Sequence, residues 1–353
     1  MHALTALFYA LETQTEIPVA SAQRILFLRA QAHPDLDALK DRLTCEQTWK
    51  PYAAGLEVQG IRHTREAEGQ YDLILLLPDR QRESILADFA HAHELLAEGG
   101  TLVTALHNDW GAKRMEQQLA EVTGEVRTLS KNHSRVFWTT QTSPWKADVL
   151  AQWKANGAMQ RILDGRFWSQ PGLFNWDRID EGSALLTEHL PHTLSGTVAD
   201  LGASWGYLSD HLLRHCPNLR SLDMYEADAR ALECARRNTG LIPVPVRPRI
   251  LWKDVTQGVG TACYDTIVMN PPFHDGREAN SMLGLKFITS AAQALRTTGH
   301  LWLVANKHLP YENLMKEAFE HQRTVAETRS FKILHGTHPT LVTRQVRKKS
   351  RRA

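Results

Sequence analysis

Asn270-Pro271-Pro272-Phe273 is the stretch of this 353-residue sequence whose residue types are best suited to chemistry. It closes a short β-branched and apolar run, Asp265 to Met269, whose composition predicts a buried parallel strand. Two prolines remove two backbone donors and hold the chain extended. The Asn270 side chain and the Pro271 carbonyl are thereby left as rigidly placed acceptors. An aromatic ring, Phe273, follows at once. Two acceptors beside a flat apolar face suit a planar group bearing an exocyclic NH2, whose two N–H bonds they take while the ring stacks on it. Alone, the same four residues also make an ordinary strand-ending turn.

The residues upstream favour a site. Four predicted strands stop at polar residues: Thr197–Ala199 at Asp200, Ser221–Tyr225 at Glu226, Ile250–Lys253 at Asp254 and Thr266–Met269 at Asn270. In an open parallel sheet the ligand lies outside the carboxyl ends of the strands, so these residues are expected to line one crevice. A single acid at a strand end is often only a helix cap; four in succession, with a glycine turn after the first, point to binding. Glu226 lies 20 residues after Gly206, the usual distance for an acid that accepts from ribose hydroxyls, which implies a nucleoside cofactor. The turn Asp200-Leu201-Gly202-Ala203-Ser204-Trp205-Gly206 lacks the middle glycine that lets backbone approach a pyrophosphate. S-adenosylmethionine, with ribose and adenine but no phosphate, fits this turn better than NAD does. Asp254 is then placed to accept from the adenine amino group.

The elements that position these residues occur twice. Strand-like Arg24–Arg29, Asp72–Leu77 and Thr101–Leu106 alternate with helix-like Asp35–Leu43 and Ser84–Ala97, which implies an α/β fold with a mostly parallel sheet. The later half repeats the pattern: YDLILLLPDR from Tyr71 aligns with YDTIVMNPPF from Tyr264, and ELLAEGGTLVTAL from Glu94 with QALRTTGHLWLVA from Gln293. The expected architecture is therefore two tandem Rossmann-like domains from an internal duplication. The first, residues 1–140, is degenerate: Leu77-Pro78-Asp79-Arg80 replaces Asn-Pro-Pro-Phe, and no glycine follows its first strand. Residues 141–195, rich in Trp, Pro and Gly, are expected to form either a plain linker or a lid over the second domain, residues 196–343.

The remaining signals bound the function. With 42% hydrophobic and 23% charged residues and a net charge of +2, the chain has an ordinary soluble composition. Charge is uneven, since residues 344–353 carry six Lys and Arg and no acid. Such a run is a solvated tail or a nucleic-acid contact. The four cysteines are scattered without a CxxC pair, as in a reducing cytoplasm. His91 and His93 point different ways on a predicted helix, and His335 and His338 lack an acidic or thiol companion, so no metal site is expected. No segment is long and apolar enough to imply a membrane span.

With these residues in hand, the later half resembles class I S-adenosylmethionine-dependent methyltransferases. It is most similar to the ribosomal small-subunit methyltransferase C family, through PGLFNWDRIDEGSALL from Pro171, NPPFHDG from Asn270 and LVANKHLPY from Leu303. The resemblance implies methylation of a guanine exocyclic N2 in small-subunit (16S) rRNA. Asn270, Pro271, Pro272 and Phe273 would form the amine-binding and base-stacking site. Asp200, Gly202, Gly206, Glu226 and Asp254 would hold S-adenosylmethionine, helped by Asp177 and Ser183. The rival expectations are a large-subunit rRNA guanine-N2 methyltransferase and a non-catalytic RNA-binding assembly factor. The serine in the Gly202–Gly206 turn motivates the latter.

Overall fold

The computed structural model describes residues 2–272 and 277–340. Phe273 and the basic run 344–353 lie outside them. The chain divides into two units, Met1–Gln160 with Gln170–Gly172, and Arg161–Ser169 with the chain from Leu173 onward.

The first unit opens with α1 (His2–Thr13). Its sheet comprises β1 (Ile25–Leu28), β2 (Leu43–Glu46), β3 (His63–Thr64), β4 (Tyr71–Leu76), β5 (Leu96–His107), β6 (Arg127–Lys131) and β7 (Ser134–Thr140). The helices between and after these strands are α2 (Lys50–Gln59), α3 (Arg82–Leu95), α4 (Ala112–Thr123) and α5 (Ala147–Gly157). Strand order is β3-β2-β1-β4-β5-β7-β6, with β7 antiparallel to both its neighbours. All four residues of β1 are buried, as expected of a central parallel strand covered on both faces.

After a short hairpin of β8 (Gln160–Ile162) and β9 (Phe167–Ser169) and then α6 (Glu181–His189), the second unit repeats the plan. Its strands are β10 (Ser195–Leu201), β11 (Asn218–Glu226), β12 (Arg249–Trp252), β13 (Tyr264–Met269), β14 (Leu295–Asn306), β15 (Phe319–Glu327) and β16 (Phe331–Pro339). Its helices are α7 (Tyr207–His215), α8 (Ala229–Gly240), α9 (Arg277–Ala294) and α10 (Tyr311–Ala318). The order β12-β11-β10-β13-β14-β16-β15 is the same as in the first unit. Order reverses between β10 and β13, which makes the carboxyl ends of those two strands the place for a ligand.

The duplication extends to single hydrogen bonds. Asp265 Oδ2 accepts from the Thr197 amide at 2.8 Å, and Asp72 Oδ2 accepts from the Arg24 amide at 2.9 Å, tying equivalent strands together in each unit. Two expectations need correction. Asp35–Leu43 is a 3-10 stretch, Pro34–Arg42, because its buried Leu36 and Leu39 are three apart and match that tighter period. Nor is 141–195 a single linker: α5 belongs to the first unit, packed on α3, whereas 161–169 and the chain from Leu173 belong to the second.

Candidate active site

Asn270 follows β13 and is fixed by groups upstream in sequence. Its Nδ2 donates to Asp180 Oδ2 and to Ser183 Oγ, both at 2.8 Å. A carboxylate oxygen can only accept, so the nitrogen of the amide must be the atom that faces Asp180. Both amide protons are spent there. Oδ1 is left facing away, and it takes no hydrogen bond among the described residues. A bare, fixed carbonyl oxygen is what an incoming amine needs.

Asp180 is itself held firmly. It caps α6 by accepting from the Ser183 amide at 2.8 Å, and its Oδ1 accepts from Asn175 Nδ2 at 2.9 Å. Position 182 is tight, since a Cβ would lie 3.0 Å from Asp180 Oδ2 and 3.1 Å from the Phe331 ring and would press on both. Phe174, Asn175, Asp180 and Ser183 form one wall of a cleft whose other wall is Gly202–Trp205, with Asn270 at its end. This segment, expected as either a linker or a lid, supplies that wall. At about 40 Å³ the cleft has room for a few waters, so a nucleoside can enter only if one wall moves.

The turn after β10 explains why a phosphate-free cofactor suits this site. Gly202 N and Ala203 N donate to the Tyr225 carbonyl, Gly206 N to the Ala203 carbonyl, and Ser204 N to Glu226 Oε2 at 2.7 Å. Those four amides are spent, and no row of them remains to cradle a pyrophosphate. Trp205 is buried, with its indole N–H on the Phe174 carbonyl and its ring against Phe167 and Tyr207. Its bulk is therefore absorbed by packing.

Glu226 also accepts from the amides of Ala227 and Asp228. Three of about four lone-pair positions are thus filled, leaving one on Oε2. Burial pushes the Glu226 carboxyl up to about 7, against the pull of those amides. Asp254 receives the Thr256 amide and hydroxyl on Oδ1, which makes it a cap of the turn after β12, while Oδ2 takes no bond among the described residues.

Two sequence-predicted residues stand elsewhere. Asp200 lies one residue inside β10, fully buried, and its Oδ2 accepts from the Ser209 hydroxyl at 2.7 Å. Burial raises its carboxyl to about 7. It anchors α7 and has no exposed surface to offer a cofactor. Asp177 is exposed and paired with Arg178. The acid that reaches Asn270 is Asp180, and the signal for it was an Asp-x-x-Ser helix-start pattern.

Comparison with known proteins places this arrangement. The family profile described as Methyltransferase small domain matches residues 164–335. The ribosomal RNA small subunit methyltransferase C of Shigella flexneri serotype 5b is 36% identical over 258 residues, covering 72% of this chain and 71% of the relative. The chain belongs to the ribosomal RNA small subunit methyltransferase C family. The Psychromonas ingrahamii member is 27% identical, covering 76% of each chain. The fold is shared by the T. thermophilus 16S rRNA N2 methyltransferase RsmC, solved with AdoMet and guanosine, at a TM-score of 0.74 and 24% identity over 89% of this chain and 88% of that one.

In this family member the first unit keeps the scaffold and none of the site. By strand register, Phe27 stands for Asp200, Arg29 for Gly202, Gln47 for Glu226 and Leu77 for Asn270. Arg29 adopts a positive φ of 54° and sends its guanidinium to Asp88 at 2.6 Å. The space of a cofactor turn is taken by an ion pair. Among the described residues no group of His, Cys, Asp and Glu is arranged to hold a metal, and no helix is long and apolar enough to cross a membrane.

Ser204 has a φ of 47°, where a side chain costs about 1–2 kcal/mol relative to glycine. Ser204→Gly is therefore expected to raise unfolding stability, by about 0.5–1 kcal/mol once the freer unfolded chain is counted. Urea unfolding checks this, and a loss of stability would show that the serine makes compensating contacts.

Proposed function

We propose that the protein transfers a methyl group from S-adenosylmethionine to the exocyclic N2 of a guanine in 16S rRNA, acting in the cytoplasm on the small ribosomal subunit. One observation carries this reading: the Asn270 amide, in a chain of this family, commits its Nδ2 to Asp180 and Ser183 and keeps a carbonyl oxygen with no partner among the described residues, in the lining of the cleft. That geometry selects an amine as substrate.

The residues present fit S-adenosylmethionine. The spent turn amides disfavour a phosphate, Gly202 adds no side chain beside the Phe287 ring and the Asn270 backbone carbonyl, and Glu226 and Asp254 each keep a lone pair for ribose and adenine. When bound, this cofactor supplies a methyl group activated by a sulfonium. The chain supplies position. Asn270 Oδ1 and the Pro271 carbonyl take the two N–H bonds of the guanine amine, favour a more tetrahedral nitrogen and aim its lone pair for in-line attack. No general base is needed before transfer, because the nitrogen becomes acidic only afterwards. Phe273 is the ring assigned to stack on the base, worth about 1–3 kcal/mol against the cost of unstacking it from RNA. The first unit and the run 344–353 supply sequence-independent grip on rRNA.

Incubation of 16S rRNA and small subunits with the protein and S-adenosylmethionine, followed by nucleoside mass spectrometry, is expected to yield N2-methylguanosine. A methyl group found only on adenine or on 23S rRNA overturns this assignment. Glu226→Gln is expected to weaken S-adenosylmethionine binding roughly tenfold or more, since hydrogen bonds to a charged acceptor are worth about 1.5–3 kcal/mol. The free carboxyl is lifted to about 7 by burial, so the accepting, ionised form is lost as pH falls. Wild-type affinity should therefore decline below about pH 7, by up to about tenfold per unit, and the Gln variant should lose that dependence. Calorimetry across pH 5.5–8.5 checks both.

A further inference from the structure

A groove of the second unit lies at the opposite end of its sheet from Asn270, and the reaction does not use it. It has a volume of about 720 Å³ and is lined by the amino-terminal parts of β10, β11, β13 and β14 together with β15 and β16. Trp302, His335 and Arg323 are direct cross-strand neighbours there, and His300, Thr337 and His321 form the next row. The rings make a column: Trp302 stacks on His335 at 4.2 Å between centroids, and His335 on His300 at 5.3 Å, with interplanar angles of 28° and 12°. Trp302 is buried and His300 exposed, so the column carries an aromatic face outward.

Partial burial in the column lowers both histidines, His335 to about 4 with the help of His300 and Arg323. They serve the groove as flat rings, and its charge comes from guanidiniums. Arg323 is exposed and has no ion-pair partner among the described residues. Arg220 and Arg296 both pair with the single acid, Asp265. In the lining itself, Arg220 and Arg323 against the one acid Asp265 leave an excess of positive charge. The described chain also ends at this end of the sheet, at Thr340, just before the run that holds six Lys and Arg.

The duplicated unit provides an internal control. Thr101, Val103, Trp138 and Arg127 occupy the positions of His300, Trp302, His335 and Arg323. There α1 packs on β5 and β7, Thr101 and Thr140 bond to each other, and Arg127 is neutralised by Glu16 and Glu125. A helix packs on the equivalent strands in both copies, α6 on β14 and β16 in the second, and the first copy keeps a smaller groove of about 250 Å³ at this place. What differs is the lining, which is threonine and acid around a neutralised arginine in the first copy and histidine with Arg323, unpaired among the described residues, in the second. Fold alone does not require the second arrangement.

We propose that this groove is a second RNA-binding site, in which an unpaired nucleotide of the substrate RNA stacks on the His300–His335–Trp302 column while Arg220 and Arg323 hold its phosphates. Unstacked bases on aromatic faces flanked by arginine are the common mode of single-strand recognition. The inference rests on rRNA being the substrate, and its test separates the two claims. Full-length wild type, His300→Ala, Arg323→Glu and the double variant would be titrated with a fluorescein-labelled, unstructured RNA of about ten nucleotides, and their methyl transfer to 16S rRNA measured. Both positions are exposed, so the variants should fold, and circular dichroism verifies it. The double variant is expected to bind RNA roughly tenfold more weakly. Its salt slope should fall by about one for the lost arginine, and its KM for rRNA should rise with kcat unchanged. Arg127→Glu, in the first unit where Glu16 and Glu125 already neutralise that arginine, should lower RNA affinity and the salt slope much less than Arg323→Glu does. Unaltered RNA affinity and salt slope in the double variant overturn the proposal while leaving the methyltransferase reading intact. A loss seen only with assembled subunits and not with protein-free RNA also overturns it, in favour of a ribosomal-protein contact.

Discussion

Asn270→Ala is expected to fold, to bind S-adenosylmethionine as the wild type does, and to lose about 10²–10³-fold in turnover, the usual effect of removing one positioned polar group from a reacting centre. The structure explains why the loss should fall on kcat. Asn270 Oδ1 has no structural partner to lose, whereas its Nδ2 makes two hydrogen bonds to Asp180 and Ser183. Truncation leaves Asp180 still bonded to the Ser183 amide and to Asn175, so the stability cost should stay near about 1 kcal/mol. Single-turnover methyl transfer alongside urea unfolding separates the two effects. A variant that turns over normally would remove Asn270 from the chemistry.

Asp180→Ala should produce the second largest effect, although Asp180 touches neither substrate nor cofactor in this reading. It positions Asn270. Without the carboxylate the amide is free to turn over and present its NH2, a donor, where an acceptor is needed. Turnover should fall about 10–100-fold, and loss of the α6 cap should cost about 1 kcal/mol. A purely structural role would not be repaired by moving the charge. The exchanged pair Asn175→Asp with Asp180→Asn keeps the bond between the two side chains and leaves a carbonyl oxygen to face Asn270 Nδ2. It should recover most of kcat, while Asp180→Asn alone should not.

Much of this site was legible in the sequence, because strand ends in a parallel sheet declare themselves by composition. The runs before Asn270, Glu226 and Asp254 are mostly apolar and β-branched or aromatic, and each stops at a polar residue within two positions of the observed strand end. Asp200 failed that rule because β10 runs one residue further, to Leu201, and an aspartate inside a strand can be buried when a serine such as Ser209 meets it. Asp180 and Asp177 were harder to tell apart. Both sit in an irregular segment with no period, and only the helix start three residues before Ser183 singles out Asp180. The groove on the far end of the second sheet was not legible at all. Its aromatic column and the arginine beside it exist because residues 300, 302, 335 and 323 meet across three strands, and no local pattern encodes that pairing. The pairing of β16 between β14 and β15 decides it.

The central claim is that a single carbonyl oxygen, fixed by Asp180 and Ser183, receives the amine of the base. It is tested most directly by comparing guanosine with inosine, which differ only in that amine, in competition binding to the S-adenosylhomocysteine-loaded wild type and Asn270→Ala proteins. Wild type should prefer guanosine, and Asn270→Ala should lose roughly tenfold of that preference, the value of one well-made hydrogen bond, keeping only what the Pro271 carbonyl supplies. An equal preference for guanosine in both proteins would mean that the amine is held elsewhere.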